Sequence, residues 1–158
     1  MSNVIYRPEE EALRKLLQNL RFLVVDSNSF SRGLVRTTLL QLGATRIEEE
    51  TSTVTALTKL RAEDFDVLLL DQDMPGLTGL ELVRLIRTKA EPTKKPDIPI
   101  VIITGNAQEY AIKEAKLSGV TEYLLKPFSS ATLGKKLEHA LLPPAPAKSL
   151  FEQLNAGL

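Results

Sequence analysis

The stretch Val67-Leu68-Leu69-Leu70-Asp71 places four aliphatic residues in a row directly before a carboxylate. Two similar aliphatic runs occur at residues 22–25 and 98–103. Runs that are apolar throughout, rather than alternating, are typical of strands in a parallel sheet that is covered by helices on both faces. Weaker strand patterns lie at residues 46–49 and 122–125. The first of these two is rich in glutamate, which predicts an edge strand exposed to water.

Helical patterns alternate with these strands. Apolar residues recur at helical spacing in four segments: Val35, Leu39 and Leu42; Leu82, Val83 and Ile86; Ala111, Ile112 and Ala115; and Leu133, Leu137 and Leu141. Because parallel strands need right-handed crossover connections, the alternation predicts five strands and five helices in an α/β, doubly wound parallel sheet. The flavodoxin-like strand order 2-1-3-4-5 is predicted, since it places the glutamate-rich second strand at the edge.

Short extensions flank this predicted domain of residues 21–142. The N-terminal extension, residues 1–20, contains a predicted extra helix from Pro8 to Leu20 with leucines at i, i+3, i+4 and i+7. That helix is expected to pack on its own domain or to form a homodimer or partner contact. The tail, residues 143–158, begins with a Pro-Pro-Ala-Pro sequence that cannot continue a helix. Ser149-Leu150-Phe151-Glu152 resembles a capping box, which predicts one amphipathic turn that docks or frays.

Composition excludes several classes of function. Lys plus Arg equals Asp plus Glu at 20 each, so no global field favours nucleic acid or an anionic membrane. The absence of cysteine excludes disulfides, thiolate catalysis and cysteine-ligated zinc. The single histidine, His139, lies in a polar helical segment, which argues against a catalytic triad or a multi-histidine metal site. Without a signal-peptide pattern or a run of about 20 apolar residues, the protein is expected to be soluble and cytoplasmic.

Polar side chains follow the ends of the predicted strands. Asp26 ends strand one, Asp71 ends strand three with Asp73 just after it, and Thr104 and Lys126 end strands four and five. In an open α/β sheet the ligand crevice lies beyond these ends, here between strands one and three. Gathered carboxylates repel one another unless a hard dication lies among them, so the three aspartates predict a Mg²⁺ site. A carboxylate oxygen could then attack a phosphoryl group while the metal, ammonium and hydroxyl neutralise its oxygens.

Four motifs, in this order and spacing, resemble the signature blocks of bacterial response regulator receiver domains of the chemotaxis type. They are Phe22-Leu23-Val24-Val25-Asp26, Leu69-Leu70-Asp71-Gln72-Asp73-Met74-Pro75-Gly76, Ile102-Ile103-Thr104-Gly105 and Tyr123-Leu124-Leu125-Lys126-Pro127-Phe128. The resemblance covers residues 20–142. It implies a two-component signalling switch that catalyses its own phosphorylation and dephosphorylation rather than a turnover enzyme.

The resemblance also implies roles for the site residues. Asp71 is expected to be the phosphoacceptor, and Asp26 an acidic Mg²⁺ ligand that often acts through water. Asp73 is expected to contribute its backbone carbonyl to the metal. Thr104 and Lys126 are expected to bind the phosphoryl oxygens.

Further expectations concern the switch and the partners. Tyr123 matches an aromatic position whose ring is expected to move inward as Thr104 turns toward the phosphoryl group. The Lys126-Pro127 bond is similar to one that is usually cis in the family. The donor is expected to be a phosphohistidine on a histidine kinase or phosphotransfer protein. The output is expected to be a protein contact at the face of the last two helices and strand five, since the tail is short for a DNA-binding domain.

Two alternatives stay open beside this interpretation. Receivers usually carry a second acid where this chain has Ser27, and a degenerate receiver that binds partners without phosphorylation would show such a change. Asp73 stands where chemotaxis-type regulators carry a neutral amide, so a hypothesis is that the carboxylate has moved. Residues 69–73 also resemble the Asp-x-Asp motif of haloacid-dehalogenase-like phosphatases. In that family, however, the motif follows the first strand and precedes a Thr or Val, whereas Met74 stands here.

Overall fold

Strands and helices alternate along residues 4–142, the part of the chain that the computed structural model describes. The strands are β1 (Arg21–Val25), β2 (Arg46–Glu50), β3 (Val67–Asp71), β4 (Ile100–Thr104) and β5 (Glu122–Leu125). The helices are α1 (Pro8–Gln18), α2 (Ser29–Leu42), α3 (Thr53–Ala62), α4 (Gly79–Arg87), α5 (Glu109–Ser118) and α6 (Ser130–Leu141). All strand pairs are parallel, in the order β2-β1-β3-β4-β5. The predicted fold is therefore confirmed, while the predictions for residues 143–158 lie outside the described residues.

The sheet is covered by helices on both faces, because successive residues of a strand point to opposite sides. Every residue of β3 and β4 is buried. On one face the strands pack against α3, α4 and α5 through Leu23, Leu68, Leu70, Ile100 and Ile102. On the other face they pack against α1, α2 and α6 through Phe22, Val24, Leu69, Val101 and Ile103. The two apolar layers hold the strand ends in fixed positions.

Two element boundaries differ from the sequence prediction by two residues. β4 begins at Ile100 rather than at Ile98, because Pro99 has no N–H to donate to the ladder. Ile98 is nevertheless buried. α1 ends at Gln18, two residues early, because the chain turns at Asn19 to enter β1. Within residues 4–142, no helix combines the length and apolarity that a membrane span requires.

The glutamate-rich strand β2 is the sheet edge, as predicted, but its side chains are not simply solvated. Lys59 of α3 lies 3.3 Å from Glu48 and 3.4 Å from Glu50. Arg32 of α2 binds Glu49 at 3.1 Å on the other face. Cations from two helices thus neutralise an edge strand that would otherwise repel itself.

Helix α1 packs against its own domain, one of the two arrangements expected for it. Leu17 is completely buried and Leu13 nearly so. Gly134 of α6 lies beside Leu13, and a methyl group there would make an ordinary contact of 3.4 Å with Leu13 Cδ2. Arg14 Nη2 donates a hydrogen bond of 2.6 Å to the carbonyl of Gln41 in α2. The helix is therefore an integral third member of this helical layer.

Candidate functional site

Two buried carboxylates meet at the carboxyl edge of the sheet. Asp26 follows β1 and Asp71 ends β3, and these strands are paired so that Val25 lies opposite Leu70. Asp26 is 3% exposed and Asp71 is 5% exposed. Charged side chains are rarely this buried unless they are paired or bind a metal. The structure thus brings the first two predicted residues together at the switch point of the sheet.

Lys126 reaches this carboxylate pair from the end of β5. Its Nζ donates a hydrogen bond of 3.1 Å to Asp71 Oδ1 and lies 3.6 Å from Asp26 Oδ2. The backbone of Lys126 is fixed by its N–H bond to the Thr104 carbonyl at 2.8 Å. The Lys126-Pro127 peptide bond is cis, as expected. One ammonium between two carboxylates leaves this group with a net negative charge.

The Asp71 carboxyl is electrostatically unfavourable in its ionised form. Burial raises the pKa of Asp71 above its ordinary value, and the neighbouring charge of Asp26 raises it further. The Lys126 ammonium acts in the opposite direction but does not cancel these two effects. A further cation beside Asp71 would therefore be stabilised by this arrangement.

A network of hydrogen bonds orients Asp26. Its Oδ1 accepts from the N–H of Asn28 at 2.9 Å, which directs Oδ2 toward Lys126. The Asn28 side chain in turn caps α2 by accepting from the N–H of Ser31 at 2.9 Å. Arg32 Nη1 donates to the Asp26 carbonyl at 2.9 Å. The loop containing Ser27 is thus braced by α2 on both sides of its turn.

The loop after β3 is also fixed by hydrogen bonds, and the residues that fold it carry no role predicted from the sequence. Gln72 accepts two hydrogen bonds from the start of α4, with its carbonyl from Gly79 at 3.2 Å and with its side chain from Leu80 at 2.8 Å. A methyl group on Gly79 would lie 2.7 Å from the Asp71 carbonyl oxygen. A glycine at the first position of a helix indicates such a close backbone approach, which is the signal that could have identified it. Asp73 lies exposed in this loop.

Thr104 and Tyr123 meet at the loop after β4. Thr104 is 1% exposed, and its Oγ1 accepts a hydrogen bond of 3.1 Å from the N–H of Asn106. The Tyr123 hydroxyl donates to the carbonyl of Asn106, and burial raises the pKa of Tyr123. Both residues line a cavity of about 230 Å³ that Asp73 also borders. Thr104 and Tyr123 therefore share one loop residue as a partner.

The donor set fits magnesium as a site of two carboxylates. Among residues 4–142, no three His, Cys, Asp or Glu side chains are grouped closely enough to hold a metal ion. Mg²⁺, however, is commonly bound by one or two carboxylates, substrate phosphate and several waters. Asp26 and Asp71 supply such a pair. The pKa of Asp71 is raised by burial and by the charge of Asp26, so the ammonium of Lys126 does not fully compensate the negative charge of the pair. A third ligand from Asp73 stays a prediction.

Residues 22–138 match the protein-family model described as response regulator receiver domain. The chain is 37% identical over 123 residues to chemotaxis protein CheY-3 of Vibrio cholerae, which covers 78% of this chain and 92% of that protein. It is 34% identical over 136 residues to chemotaxis protein CheY of Pseudomonas aeruginosa, covering 86% and 99% of the two chains.

Solved structures share the fold. CheY4 of Vibrio cholerae aligns with a TM-score of 0.69 at 32% identity, covering 77% of this chain and 98% of that one. The receiver domain of sensor histidine kinase PA1611 from Pseudomonas aeruginosa aligns with a TM-score of 0.67 at 25% identity, covering 77% and 96%. That structure contains a magnesium ion coordinated in the active site cleft.

Proposed function

Because the chain belongs to the response regulator receiver family, we propose that residues 21–142 form a phosphoacceptor switch phosphorylated on Asp71 in the presence of Mg²⁺. The observation that carries this proposal is the buried pair of Asp26 and Asp71 with Lys126 3.1 Å from the acceptor. The donor is a phosphohistidine on a histidine kinase or phosphotransfer protein. A bound Mg²⁺ would supply the positive charge that neutralises phosphoryl oxygens.

Asp71, Lys126 and Asp26 have different roles in the proposed phosphoryl transfer. An Asp71 carboxylate oxygen attacks phosphorus, a P–O bond forms, and the P–N bond to the donor imidazole breaks. Lys126 already contacts Asp71 Oδ1, so its ammonium is in position to bind an oxygen of the transferred group. Asp26, oriented by Asn28 and Arg32, would hold one side of a bound cation.

The switch operates through the shared contacts of Asn106. A phosphoryl group on Asp71 attracts the Thr104 hydroxyl, which then leaves the Asn106 N–H. The loop is freed, and the Tyr123 ring moves inward into the adjacent cavity. Helix α5 follows, because only Ala115 and Ser118 of its residues are buried. A protein target would then recognise the face of α5, β5 and α6.

A degenerate receiver is the second candidate function. Ser27 favours it, because a hydroxyl replaces the second acid at the rim. Incubation of the protein with Mg²⁺ and acetyl phosphate, followed by intact-protein mass spectrometry, separates the two. We expect a phosphoryl adduct on the wild type and on the control Asp64→Asn, an exposed carboxylate, and none on Asp71→Asn. A wild type that stays unmodified would support the degenerate receiver.

The relocation of the missing carboxylate to Asp73 has its own test. If Asp73 contributes a carboxylate, Asp73→Asn should weaken Mg²⁺ binding measurably in a calorimetric titration. If it contributes only its backbone carbonyl, the affinity should stay close to that of the wild type. The second result would remove the relocation hypothesis and leave Asp26 and Asp71 as the acidic pair.

A further inference from the structure

An open groove lies between α1, α2 and α6, away from the carboxylate pair. Its volume is about 470 Å³, and its apolar part is formed by Leu13, Leu42, Ala131 and Gly134. Grooves of this size with apolar walls are typical binding sites for a side-chain cluster or small molecule. The fold places this groove along the length of α6.

The rim of the groove contains cations with incomplete partners. Arg14 Nε is buried and has no hydrogen-bond partner among the described residues. Lys135 is exposed and forms no salt bridge within residues 4–142. Glu138 lies on the same wall, one helical turn from Lys135. The groove thus offers an apolar floor with both signs of charge at its border.

The chain itself continues from one wall of this groove. α6 ends at Leu141. Ala131 lies about 15 Å from Leu141 along the helix axis, because an α-helix rises about 1.5 Å per residue. Residues 143–148 follow, and six residues in an extended proline-type conformation span about 19 Å. This length suffices for a chain that reverses after α6 to reach the level of Ala131.

We propose that residues 149–154 of the same chain bind in this groove. Leu150, Phe151 and Leu154 recur at the spacing of one helical face, which suits the apolar floor. Glu152 supplies a carboxylate for Lys135, which forms no salt bridge among the described residues. Lys148 precedes the segment and would reach Glu138 first, which fits a tail running antiparallel to α6.

Bound in this way, the segment ties α1 to α6 on the face opposite to α5. It does not use the Asp71 site, so its test needs neither Mg²⁺ nor a phosphodonor. The failure of this proposal is therefore distinguishable from the failure of phosphorylation.

Because the chain has no native cysteine, a thiol-reactive spin label attaches only at an introduced cysteine. A nitroxide on Asn155→Cys of the full chain should broaden the amide signals of groove residues such as Leu13, Ala131 and Lys135. Phe151→Glu should abolish this broadening, because a charge would enter the apolar floor. Ala131→Glu should abolish it from the groove side, since Ala131 is exposed and its replacement leaves the core intact. Leu158→Glu, outside the segment, is the matched control and should retain it.

A mixture of spin-labelled, unenriched chains with unlabelled, ¹⁵N-enriched chains identifies the occupant. Broadening that is absent from the mixture and present within one chain supports the proposal. Broadening in the mixture would assign the groove to a second copy and overturn it. No broadening at the groove in either sample, with the fold intact by circular dichroism, would overturn it as well.

Discussion

Replacing Asp71 by asparagine is expected to make the protein more stable at neutral pH, although it removes the proposed phosphoacceptor. The substitution keeps the shape of the side chain and removes its charge. Asp71 is 5% exposed and shares one ammonium with Asp26. The raised pKa of Asp71 means that the folded protein disfavours the carboxylate relative to water.

The magnitude follows from opposing contributions. The 3.1 Å contact with Lys126 is worth about 5 kcal/mol at an effective dielectric constant near 20, before screening. Lys126 is 31% exposed, so water weakens that attraction. Two effects oppose this attraction. Burying a carboxylate costs several kcal/mol, and the charge of Asp26 repels that of Asp71. Since the net effect disfavours the charge and Lys126 keeps Asp26 as a partner, neutralisation should raise the free energy of unfolding by about 1–2 kcal/mol, the usual size of a single-substitution effect.

The stability difference between the asparagine variant and the wild type should depend on pH. A raised folded-state pKa means that wild-type stability falls as pH increases from the ordinary carboxyl value of 3.8 through the folded-state pKa, and stays low above it. The asparagine variant lacks this dependence. Its advantage should be full at pH 7, shrink as the pH falls through the folded-state pKa, and vanish below the ordinary value.

Urea unfolding followed by circular dichroism, across a pH series without Mg²⁺, measures the difference. In a separate thermal unfolding experiment at pH 7, the melting temperature should rise by about 2–8 °C for a chain of this size. Asp64→Asn is the control, because an exposed carboxylate should change stability by less than about 0.5 kcal/mol. A variant that is less stable than wild type at pH 7, or an advantage that does not change with pH, would refute the electrostatic reasoning.

Mg²⁺ at about one hundred times its Kd should raise the free energy of unfolding of the wild type by about 2.7 kcal/mol in urea, and that of Asp26→Asn much less; equal gains would exclude Asp26 from the cation site. Leu17→Ala empties a completely buried position of α1 and should lower the same quantity by about 2–5 kcal/mol, against less than about 0.5 kcal/mol for the exposed control Lys15→Ala. Gly79→Ala should destabilise by about 1–3 kcal/mol in urea, because its methyl group would lie 2.7 Å from a backbone oxygen of β3. Gly33→Ala, with open space around it in α2, should instead stabilise by about 0.5–1 kcal/mol, and effects of equal sign would contradict the packing argument.

The fold was predictable because its strongest signal is composition. Strands buried on both faces are apolar at nearly every position, so the continuous aliphatic run of β3 predicts a buried strand. The connection containing α3 showed no clear pattern, since its buried residues Ala56, Leu57 and Leu60 are interspersed with threonines. Its presence followed only from the alternation of strands and crossovers.

The site was predictable only as far as strand ends determine position. Asp26, Asp71 and Lys126 follow their strands directly, so the topology alone brings them to one edge. The two bonds that Gln72 accepts from α4 depend on how a loop folds back on itself. The exposure of Asp73 depends on that same loop. Apart from Gly79 at the first position of α4, no local pattern in the sequence indicates this loop geometry.

The packing of α1 on α6 also has a consequence for folding during synthesis on the ribosome. Leu13 and Leu17 belong to the same buried cluster as Leu133 and Leu137, about 120 positions later in the chain. At a synthesis rate of about 5–20 residues per second, the first helix therefore waits roughly 6–24 s for α6, whereas its other helical neighbour, α2, follows it directly in the chain. During that interval Leu13 and Leu17 lack the cover that Leu133 and Leu137 provide in the folded protein. Helix α1 can thus pack on α2 early in synthesis, but it completes its buried contacts only when α6 has been made.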